Sequence, residues 1–133
     1  MQLIDFDKEF YESIEGKDKI FMSERGHYHT FTVEGKKAGV VGVMPAKIEG
    51  SALFQILVAP EFRGKNLTKE AEEMVARKYG ITEMLATIKK DNIASIKAHE
   101  KAGFEHLPES KLEELRQRGF LDNDKIRMRK KIN

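Results

Sequence analysis

A basic loop between an apolar segment and a helical pattern carries residue types that could bind an anion. The apolar run ends at Pro60, whose missing amide hydrogen stops strand pairing, and residues 63–68 read RGKNLT. Such a loop directs successive backbone N–H groups to one place, and a helix that begins near Leu67 adds partial positive charge there. Together with the cations of Arg63 and Lys65, this pattern predicts a phosphate or pyrophosphate site. The alternative is a surface loop whose basic residues face water.

Length and composition limit the function classes. At 133 residues the chain has the length of one domain, which we expect to span residues 1–133. Its 40% hydrophobic content is enough for a core, and its net charge of +2 is too small to indicate nucleic acid as a partner. The absence of cysteine excludes disulfides and thiol chemistry and fits a reducing compartment. With no signal-peptide pattern and no apolar run near the ~18 residues of a membrane span, we expect a cytoplasmic protein without a membrane partner.

The elements that must position the loop follow from the periodicity of the apolar residues. Runs at residues 28–34, 38–44 and 51–59 are rich in β-formers and are separated by short turn signals, which predicts three strands in an antiparallel meander. From Leu67 onward the apolar residues recur at helical spacing. This spacing places Glu72 on the solvent-facing side of the helix.

The second half of the chain alternates strands and helices. A strand at residues 83–88 follows the first helix, and this strand–helix–strand order implies a parallel pair. Asn92 can cap the next helix, and Ser110 with Glu113 forms a capping box for a later one. Residues 125–132 alternate as a last strand. The order predicts an α/β domain with a mixed sheet covered by helices.

Two segments together resemble the acetyl-coenzyme A signature of the GNAT superfamily of N-acyltransferases. The family's first segment usually reads V-x-P-x-[YF]-[RQ]-x-x-G-x-[GA], and its second usually reads N-x-x-[AS]-x-x-x-Y-x-K-x-G-F. The matching residues of this chain are Val58, Pro60, Phe62 and Arg63 in the first segment and Asn92, Ser95, Lys101, Gly103 and Phe104 in the second. The resemblance covers about the central half of the chain, in the family's order and spacing.

Three positions depart from the family's pattern. Asn66 and Thr68 stand where the phosphate loop normally has glycines, and His99 stands where the second segment usually has tyrosine. Asparagine tolerates a left-handed backbone better than most residues, so Asn66 can keep the shape of the loop. A β-branched Thr68 restricts close approach of the backbone, although its hydroxyl could bond a phosphate oxygen. These departures concern the affinity for the cofactor rather than the fold.

The resemblance implies an α/β fold in which a mixed, mostly antiparallel central sheet with a splayed parallel strand pair is flanked by helices. It also implies acetyl-CoA as co-substrate and no metal. The pantetheine arm would pair with the backbone of Ile56, Leu57 and Val58. Asn92 and Ser95 would contact its amides, although Asn92 could equally be an ordinary helix cap. The residues that the resemblance places around the pyrophosphate are Arg63, Gly64, Lys65, Asn66, Leu67 and Thr68.

The resemblance assigns His99 a catalytic role. In the family, the tyrosine at this position often donates a proton to the departing thiolate. Imidazole, with an ordinary pKa near ~6.5, can also donate through an N–H or relay a proton. If the charged imidazole is the acid, the rate falls as pH rises above its pKa. The alternative is a half-buried histidine that lines the helix face.

A general base is harder to identify. Acyl transfer to an amine needs the neutral amine, so a side chain or a water molecule must take its proton. Some family members use a glutamate on the cofactor-binding strand, where this chain has Gln55, which cannot serve as a base. His27, His29 and Glu49 lie near strand ends that could face the substrate, and each could equally be a surface residue.

The residues and the resemblance together predict a small N-acetyltransferase that transfers acetyl from acetyl-CoA to an amine acceptor by direct attack in a ternary complex. The alternative is a non-catalytic acyl-CoA-binding or protein-interaction module with an altered phosphate loop. The acceptor, a small molecule or a protein amine, is not identified by the sequence. Family members often pair through their C-terminal strands, so a homodimer is compatible with the resemblance. The basic residues at 125–131 could contact an acidic partner, or could be lysines and arginines that protect an edge strand from aggregation.

Overall fold

The computed structural model describes residues 1–17, 20, 22–46 and 50–132 of the chain. Within these residues it forms seven strands, four helices and a short 3-10 turn. In chain order they are β1 (Gln2–Asp5), α1 (Lys8–Ser13), β2 (His27–Val33), β3 (Lys36–Pro45), β4 (Ser51–Val58), the 3-10 turn (Pro60–Phe62), α2 (Thr68–Lys78), β5 (Glu83–Lys89), α3 (Ile93–Lys101), β6 (Glu105–His106), α4 (Glu109–Gln117) and β7 (Lys125–Lys131).

The strands form one mixed sheet in the order β1-β2-β3-β4-β5-β7-β6. β4 and β5 pair in parallel, and every other neighbouring pair of described strands is antiparallel. The predicted meander of β2, β3 and β4 is confirmed, as is the parallel pair implied by the crossover through α2. The architecture is therefore the mostly antiparallel α/β sheet, with one parallel pair, that the sequence predicts.

The parallel pair separates halfway along β4. The two strands are in register from Ser51 opposite Glu83 to Phe54 opposite Ala86. β4 then continues to Val58 beside β3, while β5 continues beside β7, so β4 and β5 no longer pair with each other. An opening in the sheet therefore lies between them past Phe54 and Ala86.

The two faces of the sheet pack against different helices. Side chains alternate between the faces along each strand. On one face, Phe54, Ala86 and Met128 stand side by side on neighbouring strands and are buried in the larger apolar cluster with α2. On the opposite face, Leu57 is buried with Ile14 next to α1. Each large apolar side chain buried in this way contributes roughly 1.5–3 kcal/mol, so both helices are held by the sheet rather than by their own propensity.

A side chain caps α3 as the sequence predicts. The Asn92 Oδ1 accepts a hydrogen bond from the Ser95 backbone N–H at 3.3 Å. This bond satisfies one of the four N–H groups that a helix leaves without an internal partner at its start. The cap therefore fixes the point at which α3 begins, next to the open end of β5.

The capping box predicted for α4 is wrong. The helix begins at Glu109, directly after Pro108, and no side chain caps it. Ser110 is therefore already inside the first turn, where its hydroxyl cannot act as an N-cap. Glu113 does not reach back to the helix start, because it pairs with Arg116 one turn ahead at 3.0 Å.

Candidate active site

A groove lies at the open end of β4, between α2 and α3. It encloses about 700 Å³ and is bordered by the end of β4, the loop that leads to α2, and α3. The sequence-predicted residues that line it are Ile56, Leu57, Val58, Arg63, Gly64, Lys65, Asn66, Leu67, Thr68, Ser95 and His99. Asn92 is not among the lining residues and acts as the cap of α3.

The loop before α2 presents a row of backbone N–H groups. Gly64 and Asn66 have left-handed backbones, with φ of 78° and 58°. Asparagine is one of the few side chains that adopt this conformation at low cost, so Asn66 supplies it without a glycine. None of the N–H groups of residues 64–68 donates to a carbonyl in the part of the chain that the structure describes. These groups are therefore free to bind an oxyanion.

The start of α2 adds to the same site. Leu67 stands at the N-cap position and offers no side-chain hydrogen bond, so the first N–H groups of the helix are not capped. Thr68 is the first helical residue and is buried against the groove. Its hydroxyl has no partner among the described residues. An anion at this point would meet the positive end of the helix dipole together with the loop N–H groups.

The described residues that line the groove include several cations and no carboxylate. Lys65 precedes α2 and Lys69 lies in its first turn, whereas Lys97 and Lys101 lie on α3. The i,i+4 spacing of Lys97 and Lys101 places them on one helix face, and this spacing was the signal that could have assigned both to the site. Like charges gathered around one groove raise the potential there and attract a ligand with several negative charges.

Arg63 is held by backbone carbonyls. Its Nε donates to the Val58 carbonyl at 2.9 Å, and its Nη2 donates to the Glu15 carbonyl at 2.7 Å. These bonds tie the end of β4 to the segment after α1. Arg63 therefore acts on the groove through its positive charge and through the position of the loop.

The edge of β4 that faces the opening carries backbone donors. The Ala59 N–H donates to the Ala38 carbonyl of β3 at 2.8 Å. Because backbone groups alternate between the two sides of a strand, Leu57 also turns its N–H toward β3, whereas Ile56 and Val58 turn theirs toward the opening. Ile56 and Val58, rather than Leu57, therefore offer donors to a ligand in the opening.

A buried carboxylate contacts His99 from α2. Glu72 is fully buried, with its Oε2 3.2 Å from His99 Nε2. The other ring nitrogen, Nδ1, lies 2.8 Å from the Ser95 carbonyl and 3.4 Å from the Ser95 Oγ. The prediction that Glu72 faces solvent is wrong, because α3 packs against the side of α2 that carries Glu72, and the His99 imidazole of α3 compensates its charge.

The pKa of His99 lies above its ordinary value. Burial alone would lower this pKa, but the charge and hydrogen bond of Glu72, together with the bond to the Ser95 carbonyl, outweigh burial. With both nitrogens protonated, the ring donates Nε2–H to Glu72 and Nδ1–H to Ser95. The relative exposure of His99 is only 3%, although His99 and Ser95 both border the groove.

The candidate bases on β2 lie elsewhere. His29 Nε2 is 2.6 Å from the Tyr79 hydroxyl, and the His27 ring stacks on Tyr79 with centroids 4.6 Å apart. Tyr79 follows the C-terminal end of α2, about 16 Å along the helix from the phosphate loop. Burial lowers the pKa of His29. Neither histidine lines the groove, and Glu49 lies outside the described residues.

No helix in the described part of the chain is long and apolar enough to cross a membrane. No group of three or more histidine, cysteine, aspartate or glutamate side chains in this part of the chain is placed to hold a metal ion.

The domain is thus a mixed sheet whose parallel pair opens beside the loop that leads to α2. The family model of the acetyltransferase (GNAT) domain matches residues 6–105, which is more than half of the chain. The chain therefore belongs to the GNAT acetyltransferase family. The comparison with curated proteins gave no match.

Solved structures of N-acetyltransferases share this fold. The Campylobacter jejuni N-acetyltransferase PseH in complex with acetyl coenzyme A gives a TM-score of 0.69 at 14% identity, over 99% of this chain and 99% of that one. The GNAT domain of S. lividans PAT gives 0.68 at 17% identity, over 98% of this chain and 89% of that one. Ribosomal-protein-alanine N-acetyltransferase from Brucella melitensis gives 0.56 at 23% identity, over 80% and 69%. At these identities the likeness establishes the fold.

Proposed function

We propose that the protein is an N-acetyltransferase that transfers acetyl from acetyl-CoA to an amine within a ternary complex. The observation that carries this proposal is the row of N–H groups at residues 64–68 that have no partner in the described part of the chain, set beside the opening between β4 and β5. A thioester with a polyphosphate head needs such a pair of features. Its phosphates require fixed donors, and its acyl arm requires a path to the centre of the sheet.

The cofactor would bind with its phosphates on the loop and its arm along β4. The pyrophosphate would accept from the N–H groups of residues 64–68 and lie among the lysines that line the groove. The amides of the pantetheine arm would pair with Ile56 and Val58, whose backbone groups face the opening. The crystallised complex of PseH with acetyl coenzyme A, and that of the Thermoplasma acidophilum PaiA N-acetyltransferase with coenzyme A, support this choice of cofactor.

Direct attack accounts for the chemistry without a covalent enzyme intermediate. The nitrogen lone pair of the neutral amine forms a bond to the thioester carbonyl carbon, and the carbonyl oxygen gains negative charge. A backbone N–H of β4, that of Val58 by its position, would stabilise this oxyanion. As the carbon–sulfur bond breaks, the amine nitrogen loses a proton to water and the departing thiolate gains one. The products are an acetamide and free coenzyme A.

His99 would supply the proton to sulfur through Ser95. The His99 ring is almost fully buried at the border of the groove, its Nδ1 lies 3.4 Å from the Ser95 Oγ, and Ser95 also lines the groove. The hydroxyl could pass its own proton to sulfur and regain one from the ring. In this arrangement Glu72 is a positioning residue, because its carboxylate accepts from the imidazole and keeps the Nε2–H in place.

A thiol-release assay tests this function. Acetyl-CoA and a panel of amino acids, peptides and polyamines are supplied to the wild type and to Ser95→Ala and His99→Gln. We expect amine-dependent thiol release that falls about 10²-fold in kcat in both variants, with little change in acetyl-CoA affinity. Acetyl-CoA binding without thiol release for any amine would contradict the enzyme and support a non-catalytic acyl-CoA-binding module.

A further inference from the structure

A row of polar side chains crosses the sheet at the opening, on the face opposite the groove. Thr87 is the first residue of β5 past the parallel ladder, and it stands directly opposite Arg127 on β7. Continuing the β4–β5 register places Gln55 at the same level across the opening. Neighbours at one level share a face, and the buried Met128 next in sequence marks the other face. Arg127 therefore stands beside the opening on the side away from α2 and α3.

The guanidinium of Arg127 is held in a fixed orientation. Its Nε and Nη2 both donate to the Thr87 Oγ1 at 3.1 Å, and its Nη2 also donates to the Phe120 carbonyl at 3.4 Å. The contact with Thr87 bends the side chain from β7 toward β5 and the opening. Nη1 has no acceptor among the described residues. One edge of an oriented guanidinium is therefore available to a ligand.

Among the described residues Arg127 also has no counter-charge, in contrast to the cations beside it on the same face of β7. Lys125 pairs with Asp122 at 3.0 Å, and Arg129 pairs with Glu83 at 3.9 Å. No carboxylate of the described chain lies within ion-pair distance of Arg127. The side chain is half-buried, and burial lowers its pKa, yet a guanidinium keeps its proton under all ordinary conditions. An anion bound beside a half-buried cation that has no carboxylate partner in the described part of the chain would form a strong, charge-assisted hydrogen bond.

We propose that Arg127 binds a carboxylate of the acceptor, so that the acetylated substrate is a small amine that also carries a carboxylate. This inference rests on the proposed acetyl transfer, because the acetyl group would reach the opening from the groove side. Neighbouring strands lie about 5 Å apart, so the guanidinium over Thr87 stands roughly one strand spacing from the opening. That distance suits the amine-to-carboxylate separation of an amino acid or a dipeptide. A polyamine has no group for this site.

Acceptors supplied in matched pairs test the proposal. Glycylglycine is compared with its C-terminal amide and β-alanine with its amide, and spermidine is the cationic comparison. We expect the wild type to show a KM at least about 10-fold lower for each acid than for its amide, which is the usual effect of a charge-assisted bond. The two pairs separate a peptide C-terminus from a free amino acid as the source of the carboxylate.

Variants assign the preference to Arg127. In Arg127→Gln we expect the KM of each acid to approach that of its amide, with the acetyl-CoA affinity unchanged, and in Arg127→Lys we expect partial retention. Arg129→Gln is the matched control, because it removes a cation from the same strand and face and should keep the full acid preference. Equal KM values for acid and amide in the wild type, or an acid preference that persists in Arg127→Gln, would overturn the proposal.

A binding measurement separates this proposal from the acetyl transfer itself. The Nε–H resonance of Arg127 is followed by NMR while N-acetylglycine or its amide is added in the presence of coenzyme A. We expect this resonance to shift when N-acetylglycine is added and to stay unchanged when its amide is added. Shifts with both compounds, or with neither, would overturn the anion site even if thiol release from amides and spermidine upheld the transferase. A shift with N-acetylglycine only, together with no thiol release from any amine, would support the anion site at Arg127 and contradict the proposed acetyl transfer.

Discussion

Glu72 and His99 join the two helices that border the groove. Glu72 belongs to α2 and His99 to α3, and the pair is almost completely buried. Taking two charges out of water costs several kcal/mol each, and the Glu72 Oε1 has no hydrogen-bond partner among the described residues. Because this desolvation cost offsets the attraction between the two charges, the pair fixes the positions of the side chains more than it stabilises the fold. Here it fixes the ring that faces Ser95, and with it the distance between the helices.

The raised pKa of His99 predicts a pH-dependent stability. A folded state with a raised histidine pKa binds more protons than the unfolded chain, so its stabilisation is complete below the ordinary value of 6.5 and is lost as pH rises through the folded value. We expect the free energy of unfolding to fall above about pH 6.5, by up to about 1.4 kcal/mol per pH unit. Urea unfolding at a series of pH values measures this slope.

The control variant is His99→Gln, in which the slope above pH 6.5 should flatten. The lowered pKa of His29 makes the free energy of unfolding rise with pH, and it does so only below the ordinary value of 6.5. The pH ranges in which the two histidines affect stability are therefore separate. An unchanged slope in His99→Gln would show that other groups cause the pH dependence.

At the scale of the elements, the loop before α2 depends on its backbone conformation. Gly64 has φ of 78°, and a methyl group at this position would meet no atom within 4 Å. Gly119, after α4, has φ of 77° and equally open surroundings, and it lies outside the groove. The two glycines therefore differ in what their loops do, while their conformational constraints are alike.

Alanine at each glycine separates binding from folding. Both Gly64→Ala and Gly119→Ala place a side chain in the left-handed region, so each should cost about 1–2 kcal/mol of stability. Only Gly64→Ala should weaken acetyl-CoA, because it shifts the N–H groups of the loop. Thermal unfolding and calorimetric titration of both variants check this. Equal losses of acetyl-CoA affinity would mean that the loop conformation has no specific role in binding.

The helix caps give a second comparison between elements. Asn92→Ala removes a bond that the structure shows, and should cost about 1 kcal/mol. Ser110→Ala removes only a hydroxyl from the exposed first turn of α4, and should change stability by less than about 0.5 kcal/mol. Urea unfolding of the two variants measures the difference. A loss at Ser110 as large as that at Asn92 would restore the capping box.

Features that depend on neighbouring residues could be predicted from the sequence, and features that depend on distant residues could not. The order of strands and helices, the parallel pair and the Asn92 cap depend on local patterns and short-range bonds, and all were predicted. The Glu72–His99 pair could not be, because a glutamate on an amphipathic helix is normally exposed and its partner lies on another helix. The orientation of Arg127 depends likewise on Thr87, which pairing between distant strands brings opposite it.

At the scale of the whole molecule, the sheet separates the two regions that we propose bind the cofactor and the acceptor. The groove and its cations lie on the face that α2 and α3 cover, and the row that contains Arg127 lies on the other face. The opening between β4 and β5 lies between these regions. In the proposed reaction the thioester would approach from one face and the amine from the other, so neither needs to leave before the other binds. This arrangement is what a ternary-complex mechanism requires.

Calorimetric titration with acetyl-CoA tests the central claim most directly. The wild type and Arg63→Ala are compared. Arg118→Ala is the matched control, because it removes an exposed arginine that does not line the groove. We expect a dissociation constant on the order of micromolar for the wild type and Arg118→Ala, and about 10-fold weaker binding for Arg63→Ala, where the tie between loop and strand is lost. No binding at millimolar acetyl-CoA would contradict the account, because the loop and groove would then have no cofactor to hold.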